Sequence, residues 1–333
     1  MTLLKPSSGG IVRTLDFAEF LANDSGTQEK FCQELVGCLS SVGFVKLLNH
    51  GIDKGDLSKV FEWNRRFFSL PLAAKSKAAH PPEANPHRGY SYVGQEKLSM
   101  VKDYEKGVRE AVANYDIKES FDQGPVCDEL YQNRWPDESD IPGFRVFMEF
   151  FYERCHEVHQ CILQALAVGL GLDRTLLLDL CDRNTAELRM NHYPLYDASQ
   201  VRPGAKRISE HTDFGTITML FQDSVGGLEV EDQSMPGRYL PVPCDDTSEM
   251  VVNIGDCLQR WTNGKFLSTS HRVVLPDGVN ARVEERYSVA YFGKPNRLQN
   301  VGTLPIFVRD GETPKYENIS AWEYNQEKLI LTY

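Results

Sequence analysis

The chain has no basic surplus: 36 Lys and Arg stand against 47 Asp and Glu in 333 residues, a formal net charge of -11. Nothing in that balance neutralises phosphates, so nucleic acid and anionic membrane surfaces are not expected partners. No run is long and apolar enough to span a bilayer, and residues 1–13 lack the apolar core of a secretion signal. The eight cysteines are scattered and form no CxxC pair, which removes the usual zinc spacing. Most sit among apolar neighbours, as buried free thiols do in a reducing, cytoplasmic setting. Repeats, low-complexity tracts and an obvious interdomain linker are also missing. What remains is a globular composition, 41% hydrophobic and 25% charged, long enough for one large domain or two ordinary ones.

The first half reads as mostly helical. Phe31, Leu35 and Leu39 recur at helical spacing over residues 27–39, and Gly43 ends the pattern. Residues 44–48 read as a short strand, and 57–68 as a second amphipathic helix stopped by Pro71. Residues 78–124 are rich in His, Pro, Gly, Tyr and charge, an irregular excursion of the sort that lines an active site. The longest helix is expected between Pro142 and Gly169, followed by a short one over 173–181.

Beyond it the period changes to two. Strands are expected at 187–193, 209–221, 228–231, 250–253, 266–275 and 286–292. Gly226-Gly227, Pro236-Gly237, Asn263-Gly264 and Pro276-Asp277-Gly278 separate them as turns. Many short strands without intervening helices imply a mainly β protein with flanking helices, built on a double-sheet jelly roll. A last helix is expected over 320–331. The implied division is 1–140 as an N-terminal region, 141–183 as supporting helices, 184–298 as the catalytic core and 299–333 as a C-terminal segment.

Three constellations carry chemistry. His211-Thr212-Asp213 opens an otherwise apolar β-branched stretch, and residues two apart on a strand share a face. His271 follows on a separate expected strand. Two imidazoles and one carboxylate make a facial triad with open positions, the geometry of iron(II) oxygenases. Alone, His-x-Asp is usually incidental; the apolar strand behind it changes the odds. Arg286 and Ser288 share a second face and are suited to a carboxylate through charge-assisted hydrogen bonds. Arg189, Asn191 and Tyr193 form a polar row on a third strand, with His192 turned to the opposite, packing side. Cys155-His156-Glu157-Val158-His159 lacks the HExxH spacing and reads as structural.

Taken together, His211-x-Asp213, His271 and Arg286-x-Ser288 resemble the iron- and 2-oxoglutarate-dependent dioxygenases of the isopenicillin N synthase-like group. The likeness spans nearly the whole chain. It includes 43–52 (GFVKLLNHGI), 88–97 (RGYSYVGQEK), 118–121 (KESF), 133–137 (NRWPD), 252–256 (VNIGD) and 259–264 (QRWTNG). It implies a distorted double-stranded β-helix, iron(II) on the triad, and 2-oxoglutarate and dioxygen as cosubstrates. Arg286 and Ser288 would bind the distal carboxylate, and Asn191 and Tyr193 would help hold the cosubstrate. Arg189 and Phe292 match positions that face the substrate, with Phe214 beside them; His87 and Arg88 would border the pocket mouth.

The resemblance is strongest to fungal small-molecule oxygenases, including thymine hydroxylases and enzymes of polyketide and tropolone pathways. It implies hydroxylation or a radical rearrangement of a small oxygenated aromatic or polyketide-derived secondary metabolite, with Arg189 paired to an enolate or carbonyl. Competing readings are a 2-oxoglutarate-independent oxidase of the isopenicillin N synthase type, a thymine-like nucleobase hydroxylase and a catalytically dead binding module. Oligomeric state is not readable.

Overall fold

A computed structural model describes residues 11–332, apart from 23, 82, 84, 102–103, 105–106, 108–115, 198–205 and 276–281. The turn expected at 276–278 lies outside the described residues.

Fourteen strands are described: β1 Thr14–Asp16, β2 Phe44–Leu48, β3 Gly89–Ser91, β4 Glu119–Gln123, β5 Glu187–Tyr193, β6 Tyr196–Asp197, β7 Ile208–His211, β8 Ile217–Gln222, β9 Leu228–Glu231, β10 Tyr239–Pro241, β11 Met250–Ile254, β12 His271–Val273, β13 Arg282–Val283 and β14 Arg286–Phe292. Eight form the major sheet in the order β1-β2-β11-β8-β14-β5-β4-β3, and four form the minor sheet, β10-β9-β12-β7. β6 and β13 make a separate pair. The helices are α1 Ala18–Leu21, α2 Ser25–Ser41, α3 Lys54–Phe68, α4 Leu72–Lys75, α5 Phe144–Gly169, α6 Leu176–Asp179, α7 Asp256–Trp261 and α8 Ala321–Thr332.

Period-two patterning explains the layering. On β14, Tyr287, Val289 and Tyr291 join a core shared with α2, α3 and α5, as do Leu188 and Met190 of β5, Met219 and Phe221 of β8, and Val252 and Ile254 of β11. The alternate residues point to the other side: Arg286 and Ser288, Arg189 and Asn191, Thr218 and Gln222, Asn253. That inner face meets the minor sheet through a second core in which Phe44, Tyr193 and Val251 pack with Leu228, Val230 and Val273. The polar row in the sequence is therefore the interior of the jelly roll.

Two expectations are corrected. The strand expected over 209–221 is two strands in different sheets, because the chain crosses between them at 212–216. A Cβ on Gly215 would lie 2.1 Å from the Gly293 carbonyl oxygen, and one on Gly255 would lie 2.4 Å from the Gly215 carbonyl. Three backbones meet there at a distance no side chain permits. The excursion at 78–124 is also less irregular than expected, since β3 and β4 extend the major sheet. β4 is buried along its length although four of its five residues are polar, so hydrophobic patterning does not reveal it.

Candidate active site

His211 ends β7, and His271 begins β12 directly opposite it in the antiparallel pair. Asp213 is not on the strand, as the sequence suggested, but in the crossing segment that follows. Its backbone carbonyl is held by the Asp256 N–H at 2.8 Å. Asp213 Oδ1 lies 3.7 Å from Nε2 of each histidine. One ligand atom from each residue falls within 4.8 Å of the others, and all three residues are buried. It is the only such His/Cys/Asp/Glu group among the described residues.

The surroundings prepare these atoms for a divalent ion. Each histidine donates its Nδ1 proton to a carbonyl two residues earlier, His211 to Ser209 at 2.8 Å and His271 to Thr269 at 3.2 Å. A carbonyl only accepts, so the proton resides on Nδ1 and Nε2 presents its lone pair. Burial, then the neighbouring His271, pushes His211 below the usual imidazole range and keeps it neutral. For Asp213, burial raises the pKa, but His271, His211 and hydrogen bonds outweigh it and hold the carboxylate ionised. Thr218 (2.6 Å) and Asn253 (2.7 Å) both donate to Oδ2, leaving Oδ1 for the metal. Thr218 and Asn253 were missed in the sequence; Asn253 sits in the family-like 252–256 stretch and was the available signal. Oxygen and imidazole donors on one side of an ion suit iron(II) and leave positions open.

Deeper in the roll, Arg286 is fully buried, stacks 4.7 Å from the Tyr193 ring centroid, and donates to Gln222 Oε1 at 2.9 Å. Its Nε and Nη1 have no protein partner among the described residues, and neither has Asn191 Oδ1. Ser288 Oγ lies 3.4 Å from both Asn191 Nδ2 and the Tyr193 hydroxyl. The four residues expected to hold the cosubstrate thus stand together, with a buried cation whose donors remain to be satisfied. Such an arrangement fits a carboxylate.

A cleft of about 520 Å³ reaches the triad. His87, Glu187, Arg189, Phe214, Phe292 and Lys294 line it with His211 and Asp213. Phe214, Phe292 and Arg189 thus share one cleft with the triad, and Arg189 is already engaged there. Its guanidinium is bidentate to Glu96 at 2.8 and 2.9 Å and bonds Asp122 at 2.6 Å. Arg88 departs from expectation. It is buried behind the cleft wall, bonded to Asp128 at 3.0 Å and Glu187 at 3.2 Å, because its donors satisfy internal carboxylates. Glu187 and Lys294, joined at 2.6 Å, were not singled out in the sequence. Burial raises Glu187, yet Lys294 and Arg88 outweigh it and hold the carboxyl at about 2.

The helical histidines are structural, as their spacing suggested. His156 Nδ1 meets the Tyr291 hydroxyl at 3.0 Å, and buried His159 lies 3.4 Å from Thr216 Oγ1. His192 bridges Glu119 and Glu285, both at 2.7 Å, on the helix side of β5.

Comparison with known proteins agrees with this architecture. The non-haem dioxygenase in morphine synthesis N-terminal family matches residues 12–138, and the 2OG-Fe(II) oxygenase superfamily matches 185–295. A 2-oxoglutarate-Fe(II) type oxidoreductase of Metarhizium rileyi is 66% identical over 97% of this chain and 91% of its own. A proline hydroxylase of Petromyces alliaceus is 52% identical over 97% of this chain and 99% of its own. A full-length Neurospora crassa protein, crystallised in complex with alpha-KG, superposes with a TM-score of 0.84 at 34% identity, covering 95% of each chain. Buried ligands on a jelly roll, two matching families and relatives along the full length converge: this chain belongs to the 2OG-Fe(II) oxygenase superfamily and is an iron(II)- and 2-oxoglutarate-dependent dioxygenase.

Proposed function

We propose that this dioxygenase holds iron(II) on His211, Asp213 and His271, seats the distal carboxylate of 2-oxoglutarate on Arg286 and Ser288, and hydroxylates a small zwitterionic metabolite of the amino-acid class. The observation that carries the substrate class is the ion pair that lines the cleft, Lys294–Glu187 at 2.6 Å. Charges of both signs beside the triad offer a carboxylate acceptor to an ammonium and a cationic donor to a carboxylate. The 52% identical proline hydroxylase supports the same class. The catalytic core would be residues 184–298, with 1–140, 141–183 and 299–333 packed around it.

Iron held on the triad would activate dioxygen, the oxidant, which would take two electrons from 2-oxoglutarate, leaving succinate and carbon dioxide, and two from the substrate, whose C–H becomes C–OH. The protein's part is placement. Asn191 and Tyr193 steady the cosubstrate end held by Arg286. The Ser209 and Thr269 carbonyls fix both imidazole orientations. Phe214 and Phe292 give the cleft apolar walls that shed water around the reacting carbon. The acidic balance and eight free cysteines support work in a reducing cytoplasm, with neither nucleic acid nor membrane as partner.

A flat oxygenated ring, aromatic, polyketide-derived or thymine-like, is the second reading, favoured by Phe214 and Phe292 on the same cleft. Its weakness is Arg189, whose donors already face Glu96 and Asp122 and have little left for an enolate. The test compares L-proline, other amino acids, thymine and hydroxylated aromatics, each with iron(II), 2-oxoglutarate and labelled dioxygen. Succinate should form one-to-one with a labelled hydroxy-amino acid. Stimulation by the rings and by no amino acid would overturn the proposal.

A further inference from the structure

Arg286 has a companion. Arg207, the residue before β7, is also fully buried, and its guanidinium carbon lies 5.9 Å from the centroid of the same Tyr193 ring. Nη2 donates to the Glu284 carbonyl, while Nε and Nη1 have no partner among the described residues. Arg286 repeats the pattern, with Nη2 on Gln222 and with Nε and Nη1 unmet. The chain's structural arginines look different. Arg260 is bonded to the Val301 carbonyl at 3.0 Å and the Glu317 carbonyl at 2.9 Å, and Arg88 carries two carboxylates. Burial first, and then the charge of Arg286, lower Arg207 to about 10, so the two cations feel each other.

Two buried guanidiniums around one tyrosine ring, four of their nitrogens idle, form an unfavourable arrangement that an anion relieves. The local backbone runs close beside Arg207. Gly227 has φ +94, and a Cβ there would lie 3.5 Å from Arg207 Nη1 and 2.7 Å from the Val274 carbonyl. Ser288, Asn191 and the Tyr193 hydroxyl supply neutral groups beside the cations.

We propose that Arg207 is a second binding residue for the distal carboxylate of 2-oxoglutarate, acting with Arg286 around Tyr193. The inference rests on the assignment of Arg286 and Ser288 above. Its chemical consequence is selectivity: two forks around one carboxylate favour a dicarboxylic 2-oxo acid over a monocarboxylic one.

The test is anaerobic titration of the iron(II)-loaded protein, following the visible charge-transfer band. One probe is 2-oxoglutarate. The other is 2-oxobutyrate, which chelates through the same 2-oxo acid group but has no second carboxylate. Arg207→Gln should weaken 2-oxoglutarate binding by about tenfold or more and leave 2-oxobutyrate within about twofold. Arg207→Lys, which keeps the charge and loses the fork, should fall between. Unchanged 2-oxoglutarate affinity overturns the proposal, and so does equal weakening of both acids, the mark of a merely structural arginine. Thermal melting reports whether each variant folds; if the Gln variant does not, the Lys variant is read against the same two acids. Arg286→Gln is measured in parallel. Should it leave 2-oxoglutarate binding intact while Arg207→Gln lowers it, the Arg286 assignment fails and that of Arg207 stands.

Discussion

His271 faces His211 across two antiparallel strands of the minor sheet, their ring centroids 4.3 Å apart at 51°. Cross-strand pairing thus sets the distance between two metal ligands 60 positions apart in sequence (271 − 211). The third ligand comes from the crossing between sheets, so metal binding and sheet packing are one problem.

Asn253 and Thr218 both hold Asp213 Oδ2. Asn253→Ala removes one of these donors without touching a ligand. Iron(II) affinity should fall by about 10–100-fold with the fold retained, as for other groups that orient a ligand. Anaerobic iron titration with circular dichroism checks both halves; unaltered affinity would sink this account of the carboxylate.

Lys328 of α8 and Asp256 of α7 form a fully buried ion pair behind the metal segment, joined by the Tyr324 hydroxyl at 3.0 Å from the carboxylate. Lys328→Met leaves Asp256 buried and unpaired, which should cost about 3–5 kcal/mol in equilibrium unfolding. Adding Asp256→Asn should recover much of the loss, because the stranded charge is gone. A single variant as stable as the parent would show that the pair contributes nothing.

His159 is buried, and burial with the nearby His156 lowers its pKa from 6.5 to about 3. The folded state therefore leaves it neutral while the unfolded chain protonates below about 6.5. Between about pH 3 and 6.5 the unfolded state binds more protons, so stability rises with pH there. At pH 5 the loss from this one residue should be about 2 kcal/mol relative to neutral pH. Urea unfolding of the metal-free protein across that range, with His159→Gln alongside, measures it; the variant should show a shallower acid-side slope.

Gly215 allows three backbones to meet beside Asp213. Gly215→Ala would place a methyl 2.1 Å from the Gly293 carbonyl oxygen, and neither partner is a flexible side chain. The start of β8 should shift, lowering both thermal stability and iron(II) occupancy. The control is Gly226→Ala, at φ +76 a strained position whose Cβ meets nothing within 4 Å. Equal behaviour of the two would remove the packing argument.

Local pattern was enough for much of the frame. β2, β5, β9 and β14 occupy the spans their alternation indicated, and α2, α3, α5 and α8 differ from expectation only at their ends. Each of these elements carries an apolar face onto a core, the helix-covered one for all but β9, whose Leu228 and Val230 join the core between the sheets, so their period survives in the residues. β4 did not announce itself, because both its faces are buried and one of them is polar. The carboxylates that engage Arg189 and Arg88 were not legible for a related reason: Glu96, Asp122, Asp128 and Glu187 are dispersed along the chain.

The sequence alone determined the reaction class, since His211, Asp213 and His271 with Arg286 and Ser288 require no knowledge of distance to be recognised as one chemistry. It also determined which strand faces are inward, because that is a matter of period. Only the tertiary structure decided that Asp213 leaves the strand, that Thr218 and Asn253 take one of its oxygens, and that Arg207 reaches the same tyrosine ring as Arg286. Those outcomes depend on which strands become neighbours across the roll. Pairing between distant segments is settled by packing two cores at once, and no local periodicity records it.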